Sequence, residues 1–363
     1  MRVVSLFSGA GGLDIGFIEA GFNVVWANDY DKNACESYTK NIGAHTNQGD
    51  INHYLEDIAQ LQDIDLVIGG PPCQGFSVAG KMDPNDERSK HVWTFTNVVE
   101  RLNPQAFVME NVKALGKLKK WEPLRKALLD QFRALGYSTN YVVLNASEFE
   151  VPQARERVFF IGFKGNSNII PDLDKMLHPY KTQAPFVREA LSFLDKAGIG
   201  NNTSLCKAKI TPTSNPVLRK SPYAGMLFNG AGRPVKIDGY CATLPASMGG
   251  NKTPIIDEKA LYEHKENWII SYHEHLQEGG TPITFDEIPS HLRRLTVEEA
   301  ATIQTFPKNY HFCGSQSSKF KQIGNAVPCR LAYHIARMIM ECLIDDQIEK
   351  FIINLPHQLE IKI

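Results

Sequence analysis

The seven cysteines include no Cys-x-x-Cys pair, and no apolar run approaches membrane-spanning length. An odd cysteine count without such pairs argues against a disulfide framework and against a zinc knuckle. A reduced, cytoplasmic protein is the expectation. The opening "MRVVSLFSGAGG" is too short and too rich in glycine for a signal peptide. An excess of one charge is also missing: 39 basic against 40 acidic residues give a formal net charge of −1, so bulk charge neither demands nor forbids a nucleic-acid partner. A nicotinamide fingerprint G-x-G-x-x-G would need glycine where Asp14 stands, which disfavours an oxidoreductase, and no Gly-Lys-Ser/Thr ending makes a phosphate loop. A zinc nucleobase deaminase also places cysteine after proline, but it needs the missing Cys-x-x-Cys.

What is present fits two domains, or one large α/β domain with an insertion: 363 residues, 43% hydrophobic and 22% charged. In the first 165 residues, "VVSLF", "NVVWAN", "DLVIGG", "AFVMEN", "YVVLN" and "RVFFIGF" read as strands. Between them, 12–20, 32–41, 92–101 and 124–135 have helical spacing. Such alternation predicts an α/β fold with a mixed, mostly parallel sheet covered on both faces, its last two strands pairing as an antiparallel hairpin. From about 166 to 293, glycine, proline, asparagine and serine interrupt the pattern, the texture of a second, irregular, loop-rich domain. Helical patterning resumes at "LTVEEAATIQTFP", with a Thr296–Glu299 capping box and Pro307 as the stop, and "CRLAYHIARMIMECLI" forms a last amphipathic helix.

Three features of the first half suggest chemistry. Glycines 9, 11 and 12 in "SLFSGAGGLDIGF" let the backbone pass close to a ligand as strand one turns into helix one. Asp29, ending the second strand, suits ribose hydroxyls, and Asp50, where a third strand would end, suits the amino group of an adenine. Either acid alone reads as a turn residue; with the glycine turn they outline a nucleoside crevice. Third, "GGPPCQGFS" puts Cys73 just past a strand, held by Pro71 and Pro72 and followed by flexible residues. Core cysteines usually sit inside apolar periodic segments, and the readings to weigh here are a nucleophile, a ligand or an accident of sequence.

Eight motifs in register then make the chain resemble the DNA cytosine-5 methyltransferase family, in particular its bacterial restriction-modification enzymes. They are "LFSGAGGLDIGF", "NDYDKNA", "GDI", "GGPPCQGFS", "ENV" at 110–112, "QARERVFFIGF" at 153–163, "RRLTVEEAATIQTFP" and "QIGNAVP" at 322–328. Only about 171–289 lies largely outside the match. The resemblance implies the Rossmann-like fold of S-adenosylmethionine-dependent methyltransferases, with a catalytic and cofactor domain at 1–170, a target-recognition domain with its hinge at 171–311, and a segment at 312–363 that returns to the first domain.

It also implies S-adenosyl-L-methionine as cofactor, S-adenosyl-L-homocysteine as product, and methyl transfer to carbon 5 of a cytosine. Phe7 would lie against the adenine, while Ser8, Gly9, Ala10, Gly11, Gly12 and Leu13 would wrap the methionine portion. Asp29 would hold the ribose, with Tyr30 beside the adenine; many members have Glu where Asp29 stands. Asp50 and Ile51 would contact the adenine ring, and Pro72 and Asn325 would complete the pocket. Cys73 would supply the thiolate that attacks carbon 6, and Glu110 would hydrogen-bond or protonate ring nitrogen 3, which calls for a raised pKa. Arg157 would bind the cytosine carbonyl oxygen and Arg155 would steady the site around Glu110 and Cys73; alternation on one strand predicts that both arginines point the same way.

A stacked base hides carbon 6, so the target must be flipped out and sealed under a lid, for which 75–91 is the candidate. Gln74, Ser77, Lys81 and Arg88 are the expected DNA contacts there. In the second region the candidates are Arg233, Thr243, Leu244 and Lys252, with Ser247; Arg293 and Arg294 are expected to brace the domain instead. "HEH" at 273–275 reads as a surface feature, so no metal is expected, and the six other cysteines read as structural. The implied partner is double-stranded DNA, with no membrane, for a monomer that shares its target sequence with a cognate restriction endonuclease without a stable complex. Two alternatives stay open: a tRNA cytosine-5 methyltransferase on the same fold, and a non-catalytic DNA-binding module, which would have lost the thiol or the acid.

Overall fold

A computed structural model describes residues 1–72 and 90–345. The first half alternates as expected: β1 (Arg2–Leu6), α1 (Gly12–Glu19), β2 (Asn23–Asp29), α2 (Lys32–Asn41), β3 (Thr46–Gln48), α3 (Leu55–Ala59), β4 (Leu66–Gly69), α4 (His91–Leu102), β5 (Ala106–Val112), α5 (Lys113–Lys117), α6 (Glu122–Ala134), β6 (Tyr137–Asn145), β7 (Gln153–Ala154) and β8 (Glu156–Lys164). Seven of these strands form one sheet in the order β3-β2-β1-β4-β5-β8-β6. The pairs β1–β2, β2–β3, β1–β4 and β4–β5 are parallel, and β8 runs antiparallel to both of its neighbours. The expected hairpin pairing of β6 with β8 is present, but β8 inserts next to β5 and leaves β6 at the edge.

The strand order reverses around β1, between β2 and β4, and such a switch point opens a crevice beyond the carboxyl ends of parallel strands. The loop after β1, the ends of β2, β3 and β4, the end of β5 and the start of antiparallel β8 therefore lie along one edge. Phe7 to Leu13, Asp29, Tyr30, Asp50, Ile51, Pro72, Glu110, Arg155 and Arg157 sit on or beside these segments.

One face of the sheet is covered by Phe17 of α1 and by Leu331, Ile335 and Ile339 of α13 (Cys329–Asp345). The other carries Phe95, Val99, Leu128 and Phe132 of α4 and α6, with Phe107 and Phe132 stacked at 3.9 Å between ring centres. The last helix reaches α1 because Gly16 leaves it room: a Cβ there would stand 2.4 Å from the Tyr333 amide nitrogen.

Beyond β8 the elements are short: α7 (Leu173–Leu177), α8 (Val187–Leu191), β9 (Pro212–Val217), β10 (Met226–Phe228), β11 (Cys241–Ala242), β12 (Ile255–Asp257), α9 (Glu258–Glu263), α10 (Trp268–Gln277), β13 (Leu292–Arg294), α11 (Val297–Ile303) and α12 (Gln316–Asn325). Two further apolar clusters organise this stretch, one around Leu244, Leu295 and Phe320 and one between the β9–β10 hairpin and α10. The Thr296–Glu299 capping box starts α11 as expected, but the helix ends at Ile303, four residues before Pro307, where Thr305 turns the backbone at φ 60°. Arg293 lies between Glu299 and Glu258, at 2.7 Å from each, and Arg294 donates to the Thr253 and Lys209 carbonyls. Among the described residues, no helix is long and apolar enough to cross a membrane.

Candidate active site

The turn after β1 divides its glycines between two tasks. Gly9 (φ +56°) has no atom within 4 Å of where a Cβ would stand, so it faces open space. Gly11 and Gly12 face protein instead: their Cβ atoms would lie 2.2 Å from Ile42 Cδ1 and 2.5 Å from the Val327 oxygen. Ala10 and Leu13 are buried in apolar clusters. Of the six residues from Ser8 to Leu13, side-chain freedom toward the crevice is thus confined to the Gly9 corner. The rest offer backbone, including the N–H groups of Gly12 and Leu13 in the first turn of α1, which lack intrahelical acceptors. Phe7 precedes the turn in the left-handed region (φ 55°), a conformation that costs an aromatic residue about 1–2 kcal/mol, and its ring meets His91 edge-on at 5.3 Å.

The two acids along this edge are partly committed to backbone. Asp29 accepts the Gly9 N–H at 2.8 Å through one oxygen and the Asp31 N–H at 2.8 Å through the other, fixing the glycine turn to β2. Burial raises its pKa above the ordinary value against those hydrogen bonds. Tyr30, next to it, stands 77% exposed and forms a free wall. Asp50 caps the turn after β3, its Oδ1 accepting both nitrogens of Asn52 at 2.9 and 2.8 Å. Ile51 has its side chain in the core, which leaves only its backbone for any contact in the crevice. Asn325 is exposed at the end of α12. That helix is tied to α2 by Lys321 on Asp31 (2.7 Å) and by the Ser37 hydroxyl on Gln322 (2.6 Å).

Glu110 lies near the end of β5, and Arg157 is the second residue of β8, opposite Val112, so the two share one face of an antiparallel pair. Arg157 Nε is 3.0 Å from Glu110 Oε1. Burial is the largest influence on Glu110 and pushes its carboxyl above the ordinary range, while the guanidiniums of Arg157 and Arg155 pull the other way. The other carboxylate oxygen lies 3.0 Å from where a Cβ on Gly70 would stand, so the glycine after β4 is what allows the acid to approach this strand end. Asn111 then fastens the two together: its Nδ2 donates to the Pro71 carbonyl at 3.1 Å, with Asn111 itself buried. Pro72 is half-buried beside it. Cys73, Gln74, Ser77, Lys81, Arg88 and all but the end of the 75–91 lid candidate lie outside the described residues.

Arg155 departs from expectation. It falls between β7 and β8 and not within a strand, and it is 1% exposed. Its guanidinium donates to the Leu244 carbonyl at 3.2 Å and to the Gly324 carbonyl at 2.8 Å. The chain changes partner at this residue, from β11 to β5 and β6, while its guanidinium still lies close enough to act on Glu110. Leu244 is also corrected as a DNA contact: its side chain is fully buried and both of its backbone groups are bonded. Thr243 is exposed, with its hydroxyl donating to the Ala154 carbonyl at 3.1 Å. Arg233 and Lys252 are exposed on neighbouring loops joined by the Gly232 N–H on the Asn251 carbonyl (3.1 Å). His273 is no surface feature; it is buried, with Nε2 2.8 Å from the Arg219 carbonyl.

A family model for C-5 cytosine-specific DNA methylase matches residues 1–341. The chain belongs to that family. It is a cytosine-C5 methyltransferase on a mixed α/β sheet. Type II methyltransferase M.FnuDI of Fusobacterium nucleatum is 33% identical over 359 residues, covering 96% of each chain. M.MthTI of Methanothermobacter thermautotrophicus is 32% identical, covering 94% of this chain and 98% of its own. Among solved structures, the S. pombe Dnmt2 methyltransferase superposes with a TM-score of 0.64 at 20% identity, over 94% of this chain and 99% of its own, which speaks for the fold.

Within this methylase, Cys35 and Cys241 are poor nucleophiles: burial pushes the Cys35 thiol up to about 11 and Cys241 to about 12. Asp14, which ruled out the nicotinamide fingerprint, lies fully buried beneath the glycine turn and accepts the Tyr38 hydroxyl at 2.9 Å. Burial pushes its carboxyl from the ordinary 3.8 up to about 6. A folded state that holds a proton more tightly than the unfolded chain has that stability in full below about pH 3.8 and loses it as pH rises to about 6. Asp14→Asn keeps an acceptor for Tyr38 and removes the titration. It is therefore expected to stabilise the methylase by up to about 3 kcal/mol above pH 6 and by little near pH 4. Thermal melts of both proteins across that range check this; a gain largest in acid would contradict it.

Proposed function

We propose that this methylase transfers the methyl group of S-adenosylmethionine to carbon 5 of a flipped-out cytosine in duplex DNA, through a transient bond from Cys73 to carbon 6. In this reading residues 1–170 and 312–363 form the catalytic lobe, and 171–311 the target-recognition lobe. The carrying observation is the pairing of buried Glu110 with half-buried Arg157, packed against the strand end that leads through Pro71 and Pro72 to Cys73.

The crevice suits the cofactor: an open Gly9 corner, an exposed Tyr30 wall, Asp29 beneath the turn, and backbone N–H groups at the start of α1. When bound, the cofactor supplies an electrophilic methyl. The protein's own task is to make carbon 5 nucleophilic. Attack by the Cys73 thiolate at carbon 6 moves ring electrons toward carbon 5 and nitrogen 3. Glu110, its proton retained by burial, donates to nitrogen 3 as that charge grows. Arg157, held by Glu110, presents its guanidinium to the carbonyl oxygen at carbon 2 and orients the ring. After carbon 5 gains the methyl it loses its proton to water, elimination of the thiolate restores the aromatic ring, and nitrogen 3 returns its proton to Glu110.

Similarity to Type II methyltransferases such as M.FnuDI supports protection of host DNA against a cognate endonuclease as the cellular role. The test is purified enzyme with labelled S-adenosylmethionine on genomic duplex DNA and on bulk tRNA, followed by bisulfite sequencing. Methyl label in one recurring DNA motif, with tRNA unlabelled, is expected. Label confined to tRNA would overturn the DNA assignment.

A further inference from the structure

Two glutamine side chains outside the roles above connect segments far apart in sequence. Gln153 and Gln304 are fully buried. Nε2 of Gln153 donates to Oε1 of Gln304 at 2.6 Å, and Oε1 of Gln153 accepts the Leu244 N–H at 2.9 Å. Nε2 of Gln304 donates to the Ile323 and Ala326 carbonyls at 2.7 and 3.0 Å. The polarity of this chain is fixed. Two carbonyls demand the Gln304 amino group, which turns its oxygen to Gln153, which in turn leaves the Gln153 oxygen for Leu244. Reversing either amide would set oxygen against oxygen in a buried site, where unpaired polar groups are costly.

On one side of this chain is the Thr243–Leu244 turn, zipped along β7 by the Cys241 N–H on the Pro152 carbonyl and the Thr243 hydroxyl on Ala154. On the other is the turn from Ile323 to Ala326, which carries the exposed Asn325. Arg155 spans the same gap from Leu244 to Gly324. Close packing leaves little slack, since a Cβ on Gly324 would stand 2.6 Å from the Ala246 nitrogen. A shift of either turn must be met by the other or break buried hydrogen bonds.

We propose that Gln153 and Gln304 are positioning residues that couple the Thr243–Leu244 turn to the Asn325 turn, so that cofactor and DNA binding reinforce each other. The inference rests on the reading above, in which Asn325 borders the cofactor and the Thr243 turn faces DNA. By linkage each ligand must then tighten the other by one common factor.

The experiment measures Kd for S-adenosylhomocysteine with and without target duplex, and for duplex with and without S-adenosylhomocysteine. It uses wild type, Gln153→Met, Gln304→Met and Gln304→Glu. Wild type is expected to show mutual tightening of about 5–100-fold, and both methionine variants less than about 2-fold, with binary S-adenosylhomocysteine affinity close to wild type. Gln304→Glu keeps the volume and loses its donor when ionised. Its coupling is therefore expected to be absent at pH 8 and partly restored at pH 6, where a buried carboxyl regains its proton, a recovery that loosened packing alone would not give. No coupling in wild type, or coupling retained in whichever variants fold, overturns the proposal. Failure of wild type to bind S-adenosylhomocysteine at all would sink the functional reading itself, and the coupling with it.

Discussion

Cys73→Ala is expected to lower methyl transfer by about 10⁶-fold, to the limit of detection, the scale seen when a covalent nucleophile is removed. S-adenosylhomocysteine binding should stay close to wild type, because the crevice is built on the turn after β1, the ends of β2 and β3, and α12. The size of the effect follows from the chemistry. Carbon 5 of an intact, electron-poor cytosine does not attack a methyl group, and no amount of orientation substitutes for the electrons that the thiolate adds at carbon 6. Cys35 and Cys241 cannot take over, since both are buried and their pKa values lie far above neutrality. Single-turnover assays, paired with calorimetric titration of S-adenosylhomocysteine, separate the two readouts. Turnover within an order of magnitude of wild type would remove Cys73 from its role.

Glu110→Gln is the second large effect, about 10²–10⁴-fold in the single-turnover rate, the range for losing a positioned proton donor. Glutamine preserves the volume against Gly70 and can still accept from Arg157, so the fold and the guanidinium's place are kept. It cannot hand over a proton. The pH dependence sharpens the test. Burial holds the Glu110 proton above the ordinary carboxylate range, and the protonated form is the one that serves nitrogen 3. The wild-type rate should therefore fall on the alkaline side as that proton is lost, and the fall should vanish in the glutamine variant. An unchanged alkaline limb would show that another group sets it.

Much of the sheet was legible because its signals are local: apolar β-rich runs, and helices whose ends lie within two residues of the expected ones. The missing pieces depended on distant partners. A third strand was expected to end near Asp50, but its extent was not, because the three residues of β3 are polar and become a strand only by pairing with β2. The insertion of β8 between β5 and β6 is a choice of neighbours that no residue pattern encodes. Gly11 and Gly12 carry the signature of a ligand turn, yet α2 and the Val327 segment fill the space before them. Leu244 sits in a polar, glycine-rich stretch that reads as exposed, and only the apolar cluster around it reveals a core position. Asn111, Gln153 and Gln304 were missed because a polar side chain reads as surface until its buried partners are seen. The motifs "ENV", "QARER" and "IQTFP" contain all three, so motif membership was the available signal.

The central claim, a sulfur–carbon bond from Cys73 to the target base, is tested most directly with duplex DNA carrying 5-fluorocytosine at the methylated position. Fluorine cannot leave as the carbon 5 proton does, so the enzyme should stall as a covalent adduct stable to denaturation. Its mass should equal protein plus DNA plus one methyl group, and peptide sequencing should place the link on Cys73. Full activity on cytosine with no adduct on fluorocytosine, or an adduct on another residue, would contradict it.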